Sequence, residues 1–300
     1  MANHRRREVD WIAYLTLLKP ITWFPPMWAM ACGLISAGLT PQMAPGQFLL
    51  GIILAGPLLC GASQVINDWC DRHVDAINQP ERPIPSGRAP GRSAYWFAWI
   101  WSLFALAFSF SLGVWVTVAT LLGLFLSWAY SAPPLRLKRN GWWGNSAVAI
   151  SYEGLAWITG AAIALGGNLP SANIMIIALL YSVGAHGIMT LNDFKSVQGD
   201  RMMQLASLPA RLGEARAARV ACWFMALPQV LVIALLIDWQ LTQFAGWIAA
   251  GLAAQLLAMH RLLSDPKKLA PWYNAVGVTL YVAGMMVAAN AISALPQALA

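Results

Sequence analysis

The feature that most constrains this chain is the way its basic residues alternate with its apolar segments. Nine apolar stretches, at roughly 21–39, 48–66, 94–112, 114–131, 143–165, 171–190, 218–237, 244–260 and 273–295, follow one another with short connections. Each is about long enough to cross ~30 Å of hydrocarbon at 1.5 Å per residue. Of the 19 lysines and arginines, 18 fall either in the N-terminal tail, as Arg5, Arg6, Arg7 and Lys19, or in the loops after the second, fourth, sixth and eighth stretches, and Arg219 sits at the start of the seventh stretch on the same side. The intervening loops carry none, and Asp238 is the one charge on that side. The pattern predicts an all-α fold: a polytopic membrane helical bundle of about nine transmembrane helices, N-terminus cytoplasmic by the positive-inside rule. With 59% hydrophobic and 10% charged residues, an ordinary soluble domain is excluded. A single domain over 1–300 is expected, with residues 1–20 as its basic cytoplasmic tail and the lipid bilayer around it. The first stretch has no small-residue cleavage site, so no removable signal peptide is expected. The net charge of +7 follows from topology, and no basic region stands clear of the membrane to bind nucleic acid.

The longest polar run is Asn67 to Gly87, NDWCDRHVDAINQPERPIPSG. At about 100° per residue, Asn67, Asp71, Asp75 and Asn78 share one helical face, with Asp68 on its flank. Such a run between apolar segments is usually a solvated loop. A second copy argues otherwise, because NDFKSVQGD places Asn192, Asp193, Ser196 and Asp200 at the same offsets as Asn67, Asp68, Asp71 and Asp75. Crowded carboxylates call for a cation, and hard oxygen donors suit Mg2+ better than zinc. Asn67, Asp68, Asp71, Asp75, Asp193 and Asp200 are the expected metal ligands, with Asp71, Asp75 and Asp200 carrying the catalysis. Arg82 follows in a stiff proline-rich turn, and Tyr130, Arg136, Lys138 and Lys195 fall on the same side of the membrane. These five are expected to hold a diphosphate.

Other polar residues have weaker signals. Glu153 lies within an apolar stretch beside Tyr152, where a carboxylate is either functional or paired. His186, seven residues before Asp193, falls on the same helical face but deeper. With Ser196, these are candidate acceptor contacts. The four cysteines, Cys32, Cys60, Cys70 and Cys222, show no metal-binding spacing. Three sit within or next to apolar stretches and read as packing residues, while Cys70 lies inside the acidic run but about 100° off the Asp71 stripe and is not expected as a ligand. A transporter would carry its acidic residues near mid-membrane in broken helices, whereas these lie at helix ends.

NDWCDRHVD and NDFKSVQGD together resemble the motifs of the UbiA superfamily of intramembrane prenyltransferases, the first written NDxxDxxxD and the second an aspartate-rich run after the sixth span. The likeness covers essentially the whole chain. Ser196 departs from the second motif, where many relatives have aspartate. The wording NDWCDRHVDAINQPERPIPSGR and NDFKSVQGDR is similar to the chlorophyll and bacteriochlorophyll synthase branch. That resemblance implies Mg2+-dependent transfer from geranylgeranyl or phytyl diphosphate to the propionate carboxylate of a (bacterio)chlorophyllide, in a bacterial inner or intracytoplasmic membrane, on the cytoplasmic side. Aromatic C-prenylation, as in quinone biosynthesis, is the alternative within the superfamily. Protein partners are not implied.

Overall fold

A computed structural model describes residues 9–202 and 205–295. Arg5, Arg6 and Arg7 lie outside the described residues. The chain forms α1 (Trp11–Leu17), α2 (Phe24–Ser36), α3 (Pro45–Asn78), α4 (Gly91–Phe110), α5 (Val114–Ser131), α6 (Gly141–Ala164) and α7 (Ala172–Asn192). Two short helices, α8 (Val197–Met202) and α9 (Leu208–Leu212), precede α10 (Glu214–Asp238), α11 (Thr242–Leu262) and α12 (Pro266–Ser293).

Eight of these, α3 to α7 and α10 to α12, are long and apolar enough to cross a bilayer. The first expected span, 21–39, is shorter than its apolar run: a 3-10 turn at Pro20–Thr22 leads into the 13-residue α2. Prolines account for the break, since Pro20 opens the turn and Pro25 and Pro26 sit at the start of α2, where a missing N–H is tolerated. Gly38, at φ 85°, ends α2, and Leu39 N–H donates back to the Leu34 carbonyl at 3.0 Å.

Two spans contain π-helical turns that the sequence reading did not anticipate. In α3 the turn covers Leu54–Cys60 around Pro57, which has no N–H for the regular ladder. In α6 it covers Ile150–Leu155, where Ser182 Oγ of α7 donates to the Ala149 carbonyl at 3.0 Å and draws it out of register. α2 lies against α6 through Gly33 and Gly160, at each of which a Cβ would strike the backbone of the opposite helix. Away from the motifs, the core is stiffened by Trp157, Tyr181 and Tyr281. The Tyr281 hydroxyl donates to the Tyr181 carbonyl at 2.7 Å, and Gln229 donates to Gln255 at 2.6 Å across α10 and α11. A polar bond of that kind inside an apolar bundle fixes which helix faces meet.

At the motif-bearing end, two distant loops are stitched together. Gly141 N–H donates to the Ala206 carbonyl at 2.8 Å, and Ala206 N–H to the Arg139 carbonyl at 2.9 Å. The loop after α5 and the segment after the second motif thus form one wall.

Candidate active site

α3 continues through the first acidic stretch because residues 62–79 contain neither glycine nor proline, so nothing interrupts the helix after Gly61. Beyond Asn78, Pro80, Pro83 and Pro85 forbid further helix and the loop folds back, with Ser86 N–H donating to the Arg82 carbonyl at 3.0 Å. The return brings Arg82 over the helix it has just left. Its Nη1 donates to Asp75 Oδ2 at 2.7 Å and approaches Asp68 Oδ1 at 3.3 Å. One turn away, Lys138 Nζ donates to both oxygens of Asp71, at 2.5 and 2.6 Å, and Arg136 Nη2 lies 3.4 Å from Oδ1. Asn67 donates from Nδ2 to Ser131 Oγ at 3.3 Å.

The second stretch is built differently. α7 gives way at Asp193 to a 3-10 turn, Asp193–Lys195, and then to α8. Asp193 Oδ2 accepts from Asn145 Nδ2 of α6 at 3.1 Å. Asp200 Oδ2 accepts from Ser207 Oγ at 2.6 Å, and Ser196 Oγ lies 3.0 Å from the same oxygen. Asn192 accepts from Asn274 Nδ2 of α12 at 2.9 Å. Among the described residues no ion pair reaches Asp193 or Asp200.

Both stretches open on one cavity of about 340 Å³, lined by Asn67, Asp71, Asp75, Arg82, Tyr130, Arg136, Lys138, Asp193 and Asp200. A second cavity of about 320 Å³ shares Asn67, Tyr130, Asn145 and Asp193 with the first and adds Gln64, Tyr152, Lys195 and Ser196. Deeper still, a small apolar cavity lined by Met30, Ala55, Leu59, Gly123 and Leu155 shares Ser63, Ser127, Ser151 and Tyr152 with the second. Polarity therefore falls continuously from the helix ends into the bundle. The neck carries a hydrogen-bonded chain in which Gln64 Nε2 donates to the Tyr152 hydroxyl at 3.0 Å. Ser63 Oγ lies 3.3 Å from that hydroxyl and donates to the Cys60 carbonyl at 2.7 Å.

Three sequence expectations are placed elsewhere. Asp68, expected among the metal ligands, is buried outside the cavity wall and paired with Lys19 at 2.6 Å, because its position on the flank turns it toward α1. His186 shares a face with Asp193, but its ring lies against those of Trp142 and Phe224, with Nδ1 3.2 Å from Ser146 Oγ. Glu153 is buried within the π turn of α6, and neither it nor His186 lines the three cavities. Ser196 lines the second cavity but also braces Asp200. Sequence reasoning missed Asn145 and Ser207, which hold the second-motif carboxylates. Asn145, an amide within an apolar span, carried a signal; Ser207 carried none.

A metal would find suitable donors here, since Asp71, Asp75, Asp193, Asp200 and the Asn67 amide all give hard oxygen to one cavity. Among the described residues no three carboxylate, His or Cys side chains converge into a cage of their own. Magnesium is commonly held by one or two carboxylates together with substrate phosphates, and this donor set matches that mode.

The profile of the UbiA prenyltransferase family matches residues 17–282. The chain is 54% identical over 295 residues to the bacteriochlorophyll synthase 33 kDa chain of Cereibacter sphaeroides, covering 98% of this chain and 97% of that protein. It is 37% identical to the chloroplastic chlorophyll synthase of Arabidopsis thaliana, covering 94% of this chain and 74% of the plant protein. A solved UbiA homolog from Archaeoglobus fulgidus bound to GPP and Mg2+ superposes with a TM-score of 0.70 at 21% identity, over 92% of this chain and 99% of that one.

Proposed function

The chain belongs to the UbiA prenyltransferase family, and we propose that it moves a geranylgeranyl or phytyl group from its diphosphate to the propionate carboxylate of (bacterio)chlorophyllide a, the esterification step of (bacterio)chlorophyll biosynthesis. The observation that carries this reading is the 54% identity to a bacteriochlorophyll synthase chain over nearly the full length. The cavity supports it chemically, because one end is rich in carboxylates and cations and the other is apolar.

In this reading the diphosphate lies in the outer cavity. Arg82, Arg136 and Lys138 place positive charge along its wall, Tyr130 offers a hydroxyl, and Lys195 reaches the inner cavity where the reacting carbon would sit. Asp71, Asp75, Asp193, Asp200 and Asn67 would hold magnesium against the same diphosphate. Once bound, the metal supplies neutralisation of the charge that grows on the leaving group. The apolar lining of Met30, Leu59 and Leu155 excludes water from the carbon as its bond to oxygen weakens. A propionate acceptor is ionised near neutral pH and loses no proton on esterification, so no general base is required. That agrees with Glu153 and His186 lying off the cavity. The one-sided distribution of basic residues supports an active site on the cytoplasmic side, and the identity to the Cereibacter sphaeroides chain supports a bacterial inner or intracytoplasmic membrane.

The test supplies solubilised protein with geranylgeranyl diphosphate, Mg2+ and, side by side, (bacterio)chlorophyllide and 4-hydroxybenzoate. Pigment ester alone is expected. Prenylation of the phenol ring alone ends the proposal.

A further inference from the structure

We propose that Lys19 and Asp68 form a positioning pair that aims the Arg82 guanidinium at the donor diphosphate, so that Asp68 serves the arginine and not the metal. The inference rests on the donor-diphosphate reading of the outer cavity.

Asp68 is the least accessible carboxylate of the first motif, with its side chain 4% exposed. A carboxylate held so far from water needs compensation, and removing one partner of such a pair is disruptive because the other charge is left stranded. Here the compensation is double. Asp68 Oδ1 accepts from Lys19 Nζ at 2.6 Å and from Arg82 Nη1 at 3.3 Å, while the same Nη1 donates to Asp75 Oδ2 at 2.7 Å. Arg82 and Asp75 line the cavity, and Asp68 does not. Nη1 carries two hydrogens and the guanidinium five, so three N–H groups remain for phosphate oxygens once Asp68 and Asp75 have fixed the plane of the fork.

The backbone at Lys19 gives an independent reason to read the contact as built. Lys19 has φ 45° and ψ 67°, a left-handed conformation that non-glycine residues seldom adopt and that persists where its surroundings enforce it. Those surroundings are present. Thr22 donates to the Lys19 carbonyl through both N–H and Oγ1, at 2.9 Å each, and Trp23 Nε1 donates to the Leu18 carbonyl at 2.8 Å. On the other side, Leu17 and Leu18 are buried in one cluster with Val65 and Ile66 of α3. Three non-glycine residues among those described have positive φ: Lys19, Arg136 and Gln240. Two of the three are basic and reach carboxylates of the first motif. An ordinary interfacial lysine would point its ammonium at water or lipid headgroups; this one turns inward.

Calorimetric titration of the solubilised protein with geranylgeranyl diphosphate in the presence of Mg2+ tests the pair, using wild type, Lys19→Met, Lys19→Arg, Asp68→Asn and the double variant Lys19→Met/Asp68→Asn. Lys19→Met and Asp68→Asn are each expected to weaken donor binding about tenfold or more, as loss of outer-shell partners commonly does. The double variant should bind no worse than the weaker single one, because both remove the same contact. Lys19→Arg should recover most of the affinity. The magnesium concentration that half-saturates turnover should stay where it is in wild type. Wild-type donor affinity in Lys19→Met overturns the inference, and so does a raised magnesium requirement in Asp68→Asn that Lys19→Met does not share. Thermal melting without donor separates misfolding from mispositioning; if Lys19→Met melts early, Asp68→Asn with its metal requirement decides the question alone. Failure of the wild type to bind the donor would remove the diphosphate reading itself.

Discussion

The two acidic stretches share their spacing in sequence but differ in what surrounds them. On the first, three carboxylates meet four cations: Lys19 and Arg82 at Asp68, Arg82 again at Asp75, and Lys138 and Arg136 at Asp71. On the second, Asp193 and Asp200 are held by neutral donors, Asn145, Ser196 and Ser207. The first face is therefore charge-compensated, and three of its four cations, Arg82, Arg136 and Lys138, also line the cavity, while no cation is paired with the second among the described residues. Equal motifs need not do equal work. In the proposed reading the first face receives phosphate, and the second, with no cation paired to it among the described residues, draws a dication.

The largest effect should come from the carboxylates that line the cavity. Asp71→Asn, Asp75→Asn, Asp193→Asn and Asp200→Asn should each cut ester formation by about 10²-fold if a metal ligand is lost. Retention of full rate by either variant of one face would break the pairing of the two. Lys138→Met comes next. Removing a cation from the first face should raise the donor KM by about tenfold, in keeping with the value of a charge-assisted hydrogen bond. An equal effect on acceptor KM would mean that the first face is not specific for phosphate.

Ser196 and Ser207 sharpen the contrast further. Each hydroxyl lies within hydrogen-bonding distance of Asp200 Oδ2, so Ser207→Ala should reduce metal affinity severalfold while leaving donor KM nearly unchanged at saturating Mg2+. Ser196→Asp places a second carboxylate where a donor now braces Asp200, and it should impair acceptor capture, itself anionic, more than donor binding. Acceptor kinetics unchanged in that variant would reduce Ser196 to a spacer. The smallest effect is expected at Glu153→Gln and His186→Gln, which should leave the pH profile of turnover without a lost limb. A limb that disappears in either variant would bring a general base back into the mechanism.

The bundle was legible in the sequence because apolar length and charge alternation are local signals. The first acidic stretch was legible because residues four and eight apart share a face on an α-helix, and the second because it repeats the same spacing. The shortness of α2 was not, since an apolar run reads the same whether or not Pro20, Pro25 and Pro26 interrupt it. The π turns depend on Pro57 and on a bond from Ser182 of another helix, and the second of these has no local trace. Asp68 illustrates the limit at the site. Its residue type and spacing match the motif, yet its surroundings are set by Lys19, 49 residues earlier in the chain. Ser207 reaches Asp200 only because the loop at 139–141 is stitched to Ala206.

The central claim is that one diphosphate is clamped between a compensated face and an uncompensated one, with a divalent metal drawn mainly by the second. Magnesium titration of ester formation in wild type, Asp71→Asn and Asp200→Asn tests it most directly. The account predicts no turnover in chelator and an increase of about tenfold or more in half-saturating magnesium for Asp200→Asn, with a smaller shift but a depressed maximum rate for Asp71→Asn. Full activity in chelator, or equal shifts in the two variants, would contradict it.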